Sequence, residues 1–253
     1  MEIHTILTPA EITALRPEDL GDATCVVFDV LRATSTILAA LSNGALGVWP
    51  VSTPAKALAA REKRLPGALL GGERGGVRIE GFDLGNSPRE YTAEAVGGRE
   101  IVTTTTNGTV ALRACAAADT ILAASLANLD ATAAWLRAHE LGRVLLVCAG
   151  TGEDFALEDG LAAGALALRL GASYEPACDD ATAAMMALYA SHRRDLEGAL
   201  TYSTNGQRLV QIGLGEDVAW CARESWLDTV AVMGDGALRT APKLPLPPAP
   251  NLE

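Results

Sequence analysis

One local plan occurs three times in this chain: an apolar run, a turn rich in hydroxyls or glycine, then a helical pattern. The first copy is Thr24–Asp29 (TCVVFD), the turn VLRATST and the stretch ILAALSNG ending at Asn43-Gly44. The second is Glu100–Thr103 (EIVT), TTTNGT and VALRACAAA. The third is Arg143–Cys148 (RVLLVC), AGTGEDFA and LEDGLAAGALALRL ending at Gly171. Short apolar runs between helical patterns read as strands buried on both faces, the condition of a parallel sheet covered by helices. The chain is therefore expected in the α/β class, as a three-layer α/β/α arrangement of strand–turn–helix units around a mostly parallel or mixed sheet.

Further strands are expected at Ile3–Leu7, Leu46–Val51, Ala68–Leu70, Thr120–Ala123 and Thr229–Met233. Further helices are expected at Pro54–Arg64, Ser87–Val96, Leu129–Glu140, Asp180–Ser191 and Asn205–Ile212. Ser87-Pro88-Arg89-Glu90 combines an N-cap, a proline at the first helical position and a capping-box glutamate. Gly142 is placed to stop the helix near residue 130. Gly160 and Gly164 share one helix face, as expected of a helix packed tightly on a sheet. Residues 1–241 are expected to form a single α/β domain, with two lobes flanking a cleft as a variant of it. Residues 242–253 form a Pro-rich tail of extended character.

Composition excludes several classes. A net charge of −11 leaves no basic face for phosphate backbones, so no nucleic-acid partner is expected. The five cysteines are widely spaced with no C-x-x-C pair, which favours buried thiols over a disulfide framework. The N-terminus lacks the basic and apolar regions of a signal peptide, and no apolar run reaches membrane-spanning length, so a cytoplasmic protein without a membrane partner is expected. A homodimer is compatible with this reading. His4, His139 and His192 show no zinc spacing, and no Walker A, G-x-S-x-G or G-x-G-x-x-G pattern occurs.

Ligands of open α/β sheets bind beyond the carboxyl ends of the strands, so the three turns should converge on one site. In the first, Asp29 ends a strand and Arg32, Thr34, Ser35 and Thr36 open a helix, whose free N–H groups and dipole suit phosphate. Asp29 can serve a Mg²⁺ ion, which takes one or two carboxylates plus substrate oxygens. The plainer alternative makes the hydroxyls caps and pairs Arg32 with a surface carboxylate. VVFDVLRAT also resembles a haloacid-dehalogenase phosphatase signature, but Leu31 stands where that chemistry needs an acid, which excludes it. In the second turn, Thr103–Thr106 and Asn107-Gly108-Thr109 offer neutral donors at a helix start. In the third, Glu153, Asp154, Glu158 and Asp159 exceed what helix capping requires, and a divalent cation would account for the excess. Between the first two units lies Gly71–Pro88 (GGERGGVRIEGFDLGNSP), expected as a long anchored loop with Glu73, Arg74, Arg78, Asp83 and Asn86 available to a small anion.

These residues resemble the 2-phosphosulfolactate phosphatase family, through FDVLRATST at Phe28–Thr36, GGERGG and GFDLGNSPREY within Gly71–Tyr91, TTTNGT at Thr104–Thr109 and CAGTGEDFALEDGLAAG at Cys148–Gly164. The resemblance extends less specifically to Asn205-Gly and to DVAWCA at Asp217–Ala222. It implies a Mg²⁺-dependent hydrolase converting (2R)-2-phospho-3-sulfolactate to 3-sulfolactate and phosphate, a step toward coenzyme M in methanogens. Residue chemistry then assigns Asp29, Arg32 and Asp83 to catalysis, with Asp29 or Asp83 as base. Mg²⁺ falls to Asp29 with Glu73 or one of Glu158 and Asp159. The small anionic phosphoester would be held by Thr34, Ser35, Arg74, Arg78, Asn86, Ser87, Arg89, Thr105, Thr106, Asn107, Gly108 and Thr109. Asp29→Asn and Arg32→Ala are expected to lose activity while the fold survives. A phosphatase for another small phosphorylated hydroxy acid, or a non-catalytic anion-binding protein, remain alternatives.

Overall fold

The computed structural model of the protein describes residues 1–139, 141–171 and 178–242. Its strands are β1 (Glu2–Ile6), β2 (Ala23–Phe28), β3 (Gly47–Pro50), β4 (Leu69–Arg74), β5 (Val77–Arg78), β6 (Glu100–Thr104), β7 (Thr120–Ala124), β8 (Arg143–Cys148), β9 (Ala231–Gly234) and β10 (Ala237–Thr240). Its helices are α1 (Pro9–Ala14), α2 (Ala33–Ser42), α3 (Pro54–Lys63), α4 (Ala93–Val96), α5 (Gly108–Ala114), α6 (Leu129–Ala138), α7 (Leu157–Leu170), α8 (Asp180–His192), α9 (Leu196–Tyr202), α10 (Thr204–Gln211) and α11 (Gly215–Cys221). The sheet order is β1-β8-β2-β7-β9-β10-β3-β6-β4-β5.

The sheet is mixed. β1, β8, β2 and β7 are parallel to one another, and so are β3, β6 and β4. The hairpin β9–β10 joins the two blocks through antiparallel steps on both sides. Three successive reversals make the β3 block run opposite to the β2 block. In a flat sheet the carboxyl ends of β2 and β6 would therefore lie at opposite edges. Strand twist of about 20–25° per step removes that separation, because β6 is five steps from β2.

The sheet curls around α2. This helix is buried at every position from Ala33 to Leu41 and packs against β7, β9, β10 and β3. A single apolar core on its side collects Val27 of β2, Ile121 of β7, Leu238 of β10, Val48 of β3 and Ile101 of β6. The alternate residues face outward: Val26 and Phe28 of β2, with Val144 and Leu146 of β8, pack under α6 and α7 through Leu129, Leu136, Leu161 and Leu166. Val102 of β6 and Leu70 of β4 pack under Ala57 of α3. Side chains alternating between two apolar layers are what strands covered on both faces require. The three-layer α/β/α expectation holds.

Several local expectations change. Gly71–Pro88 is not one loop: its first residues complete β4, and the chain returns as β5 through Gly75-Gly76, with φ of 65° and 81°. Two positive-φ residues between paired strands make a type I′ turn, which glycine enters without steric cost. The helix expected at Ser87–Val96 is broken into a 3₁₀ turn at Pro88–Glu90 and α4. Thr92 supplies the cap of α4, whereas the Ser87 hydroxyl bonds Asp217 and Glu90 accepts from the Gly85 N–H. Thus Ser87 and Glu90 are not a capping box. α6 ends at Ala138, with His139 stacked on Trp135 at 3.7 Å, rather than at Gly142. Glu140 and residues 243–253 of the Pro-rich tail lie outside the described residues. Among the described residues, no helix is long and apolar enough to cross a membrane.

Gly160 and Gly164 face α8, not the sheet. A Cβ at Gly164 would fall 2.0 Å from the Met185 carbonyl oxygen. The obstacle is backbone, so a rotamer change cannot relieve it. Gly164→Ala is expected to cost about 1–3 kcal/mol, read as a shifted urea midpoint at unchanged slope.

Candidate active site

The three turns meet at one cleft of about 180 Å³. Asp29, Leu31 and Arg32 come from the end of β2, Thr106 and Asn107 from the turn after β6, and Gly150–Gly152 from the turn after β8. The β4–β5 hairpin adds Glu73, Gly75 and Gly76, and α10 adds Asn205, Arg208 and Leu209. Asn86 completes the lining.

The hydroxyls of the first turn are spent on the turn itself. Thr34 Oγ1 donates to the Asp29 carbonyl and accepts from the Asp29 N–H, Ser35 Oγ donates to the Val30 carbonyl, and Thr36 Oγ1 donates to that of Asn86. The N-terminus of α2 is also occupied, since the Ala33 N–H donates to Asp29 Oδ1 at 2.9 Å. Thr34 and Ser35 therefore build the strand-to-helix corner and do not present free donors. The same turn delivers Arg32, only 3% exposed, into the cleft. Its Nη1 donates to Asp217 Oδ2 at 2.7 Å and its Nη2 to the Gly76 carbonyl at 2.7 Å. Ser87 Oγ donates to the other Asp217 oxygen at 2.7 Å. Arg32 thus pairs with a fully buried acid of α11 and not with a surface carboxylate, so its truncation must disturb the fold as well as the site.

The second turn is organised by Glu73. Its Oε1 accepts from the Thr106 N–H at 2.7 Å and the Thr106 hydroxyl at 2.9 Å, and its Oε2 accepts from the Gly76 N–H at 2.8 Å. Thr105 and Thr109 bond each other's backbone and do not face the cleft as free donors. Asn107 Nδ2 donates to the carbonyls of Ala149 and Gly152, clamping the second turn to the third. Gly108 is required by proximity: a Cβ there would sit 2.6 Å from Asp29 Oδ2 and 2.6 Å from the Ala33 Cβ.

The acids of the third turn divide. Glu153 and Asp154 are exposed, while Glu158 and Asp159 are buried at the start of α7. Asp159 accepts from the N–H groups of Val30 and Gly150, tying the first turn to the third. Glu158 is held by Ser203 and Asn205, and faces an adjoining cavity lined by Phe155, Tyr202 and Thr204. Burial pushes the Asp29 carboxyl up to about 6, and the charges of Glu73 and Glu158 add to the rise. Burial also raises Asp159, with Asp29 and Glu158 contributing. Packed carboxylates that resist ionisation in a concave site mark a functional candidate.

Those acids bear on the expected Mg²⁺. Among the described residues no group of three His, Cys, Asp or Glu side chains is arranged to hold a metal ion. Mg²⁺ keeps several waters and needs only one or two carboxylates with substrate oxygens. Asp29 and Glu73, desolvated and lining one cleft, meet that donor count. Asp159 and Glu158 are outside the cleft lining.

Asp83, Arg74, Arg78 and Arg89 also lie outside the cleft lining. Asp83 Oδ2 accepts from the Leu70 N–H and from Arg61 of α3, pinning the loop outside the cleft. Arg74 bonds Thr104, Arg78 bonds the Asp83 carbonyl, and Arg89 pairs with Glu216. Each guanidinium is engaged by an oxygen outside the cleft lining: Thr104 of β6, the Asp83 carbonyl and Glu216 of α11. Asp83→Asn is expected to leave kcat unchanged while lowering stability by about 1 kcal/mol. A matched activity assay and thermal melt would check this, and lost turnover would return Asp83 to the site.

Sequence reasoning assigned no role to Asp217, Asn205 or Arg208. A signal for Asp217 existed: it shares a helical stripe with apolar Leu214, Val218 and Cys221, where an acid needs a buried partner. Asn205 Nδ2 donates to the Leu31 carbonyl, linking α10 to the first turn.

Residues 7–236 match the family described as 2-phosphosulpholactate phosphatase. Similar proteins carry the name "Probable 2-phosphosulfolactate phosphatase". One from Thermotoga petrophila is 44% identical over 213 residues, covering 84% of this chain and 90% of the relative. One from Synechococcus sp. is 43% identical over 237 residues, covering 92% and 95%. One from Caldicellulosiruptor saccharolyticus is 39% identical over 231 residues, covering 89% and 95%.

Proposed function

The chain belongs to the 2-phosphosulpholactate phosphatase family, and on that premise we propose that its cleft hydrolyses (2R)-2-phospho-3-sulfolactate to 3-sulfolactate and phosphate with Mg²⁺ as cofactor. The observation that carries this reading is one desolvated guanidinium, Arg32, beside two desolvated carboxylates, Asp29 and Glu73, in a single small cleft. Asp29 and Glu73 would hold Mg²⁺, which supplies charge to a phosphoryl oxygen and acidifies a bound water.

The chain's own groups do the rest. Asp217 and the Gly76 carbonyl fix the Arg32 fork in one plane and use only part of its donors. The remaining N–H groups point their charge at the equatorial phosphoryl oxygens, where negative charge is concentrated during transfer. Asp29 takes the proton of the attacking water. The water oxygen bonds phosphorus, the ester oxygen departs, and the proton passes to the departing hydroxyl. Glu73 and Asn107 hold the surrounding turns together, so these groups need no rearrangement as charge develops.

Phosphate release from racemic phosphosulfolactate should start on adding Mg²⁺ and stop on adding EDTA. No release under those conditions refutes the proposal. A second readout avoids turnover. A carboxyl raised by folding stabilises the fold most below its unfolded value near 4, and that contribution is lost as pH rises through about 6. Mg²⁺ should counter the loss, so MgCl₂ is expected to raise Tm more at about pH 7.5 than at about pH 5. Equal shifts at both pH values would place the ion away from Asp29.

A further inference from the structure

Four charged side chains line the cleft: Asp29, Glu73, Arg32 and Arg208. The charge of Arg32 is balanced by Asp217 at 2.7 Å. Arg208 is different. It is exposed, and among the described residues its guanidinium has no hydrogen bond and no carboxylate within ion-pair distance. In a chain of net charge −11, an arginine left unpaired at the mouth of a cleft is a cation reserved for something outside the chain.

Its position is fixed although its head is free. The neighbouring Leu209 is buried and lines the cleft, and Asn205 one turn earlier is bonded to the Leu31 carbonyl. The Ser203 side chain caps α10 by accepting from the Gly206 N–H. Opposite stands the Gly75-Gly76 turn, which Arg32 and Glu73 hold from below. A side chain at Gly75 would come within 3.4 Å of Arg208 Nη2, so the bare turn leaves the guanidinium facing the opening.

We infer that Arg208 selects phosphoesters bearing a second acidic group, by pairing with that group at the rim while the phosphoryl group lies deeper beside Arg32. This rests on the phosphatase reading of the cleft. The second group is a carboxylate or sulfonate close to the ester oxygen, because the cleft holds only about 180 Å³. Arginine suits it, since its planar fork matches an oxyanion with two parallel bonds.

The test compares 2-phospholactate with isopropyl phosphate, which differ by one carboxylate, as substrates of the wild-type and Arg208→Gln proteins with Mg²⁺. Arg208→Gln should raise KM for 2-phospholactate by about tenfold to a hundredfold, the loss of one charge-assisted contact, with kcat little changed. KM for isopropyl phosphate should not move, Arg208→Lys should recover part of the loss, and Tm should match the wild type. Equal rises for both esters, or no rise for either, would overturn the assignment. Calorimetric titration of the same two ligands separates this from the phosphatase reading. If neither ester is hydrolysed yet wild type binds 2-phospholactate more tightly and Arg208→Gln erases that preference, the selectivity of Arg208 stands and hydrolysis falls. A preference that survives in Arg208→Gln, or no binding of either ligand, overturns the role of Arg208.

Discussion

Arg32→Met is expected to abolish phosphate release and to lower folding stability by about 3–5 kcal/mol. Arg32 and Asp217 are 3% and 0% exposed, and their 2.7 Å contact crosses from the corner after β2 to α11. Removing the guanidinium leaves Asp217 with the Ser87 hydroxyl and the more distant Arg89, 3.9 Å away, against the desolvation of a full charge. A buried ion pair is weak evidence of net stabilisation, but one stranded half of it is strongly destabilising. The double variant Arg32→Met/Asp217→Leu should therefore recover most of the lost stability while remaining inactive. Urea unfolding of both proteins beside a phosphate-release assay reads the two effects separately. A single variant with the wild-type midpoint would show that the pair carries no structural weight, and an active double variant would remove Arg32 from the chemistry.

Asp29→Asn is expected to behave differently: turnover should fall about 10²–10⁴-fold while the fold persists. The amide oxygen still accepts from the Ala33 N–H, but its NH₂ meets the Gly108 backbone where a carboxylate oxygen had been. That lost acceptor, worth about 1 kcal/mol, is offset by removing a charge whose burial is unfavourable. Near neutral pH the variant should melt close to the wild type. Toward pH 4 the wild type alone gains the stability that its protonated Asp29 confers, because its folded value of about 6 exceeds the unfolded one. In catalysis the sign is opposite, because the ionised form is the active one. Wild-type kcat/KM should fall as acid protonates Asp29, and the residual rate of the variant should not follow that limb. A variant with near-wild-type turnover would shift the proton transfer to another group.

The strand–turn–helix units were legible because each couples a short apolar run to a change of period, and those signals are local. That locality also located the three turns whose residues meet in the cleft. The curl that brings them together was not local. It depends on β9–β10 inserting between two parallel blocks, and β10 (ALRT) is too short and mixed to be read as a strand. The Gly75-Gly76 turn could have been found, since two glycines between short β-forming segments are a hairpin signal.

Within the site, residue type was easier to read than orientation. Thr34, Ser35 and Thr105 have the composition of an anion cradle, yet their hydroxyls close the corners of their own turns. Glu153 and Glu158 carry the same charge, but only the second lies in α7 and faces inward. Arg74, Arg78 and Arg89 were assigned to the anion for their charge, whereas folding paired each with a nearby oxygen. The unpaired cation of the cleft lining, Arg208, comes from a helix far along the chain with no local mark of function.

The most direct test is a crystal structure of the protein with Mg²⁺ and tungstate, a phosphate mimic with strong anomalous scattering. One tungstate should sit between Arg32, the Gly75-Gly76 turn and Asn107, with an ion beside Asp29 and Glu73. Tungstate held elsewhere, with that cleft containing only solvent, would contradict the account.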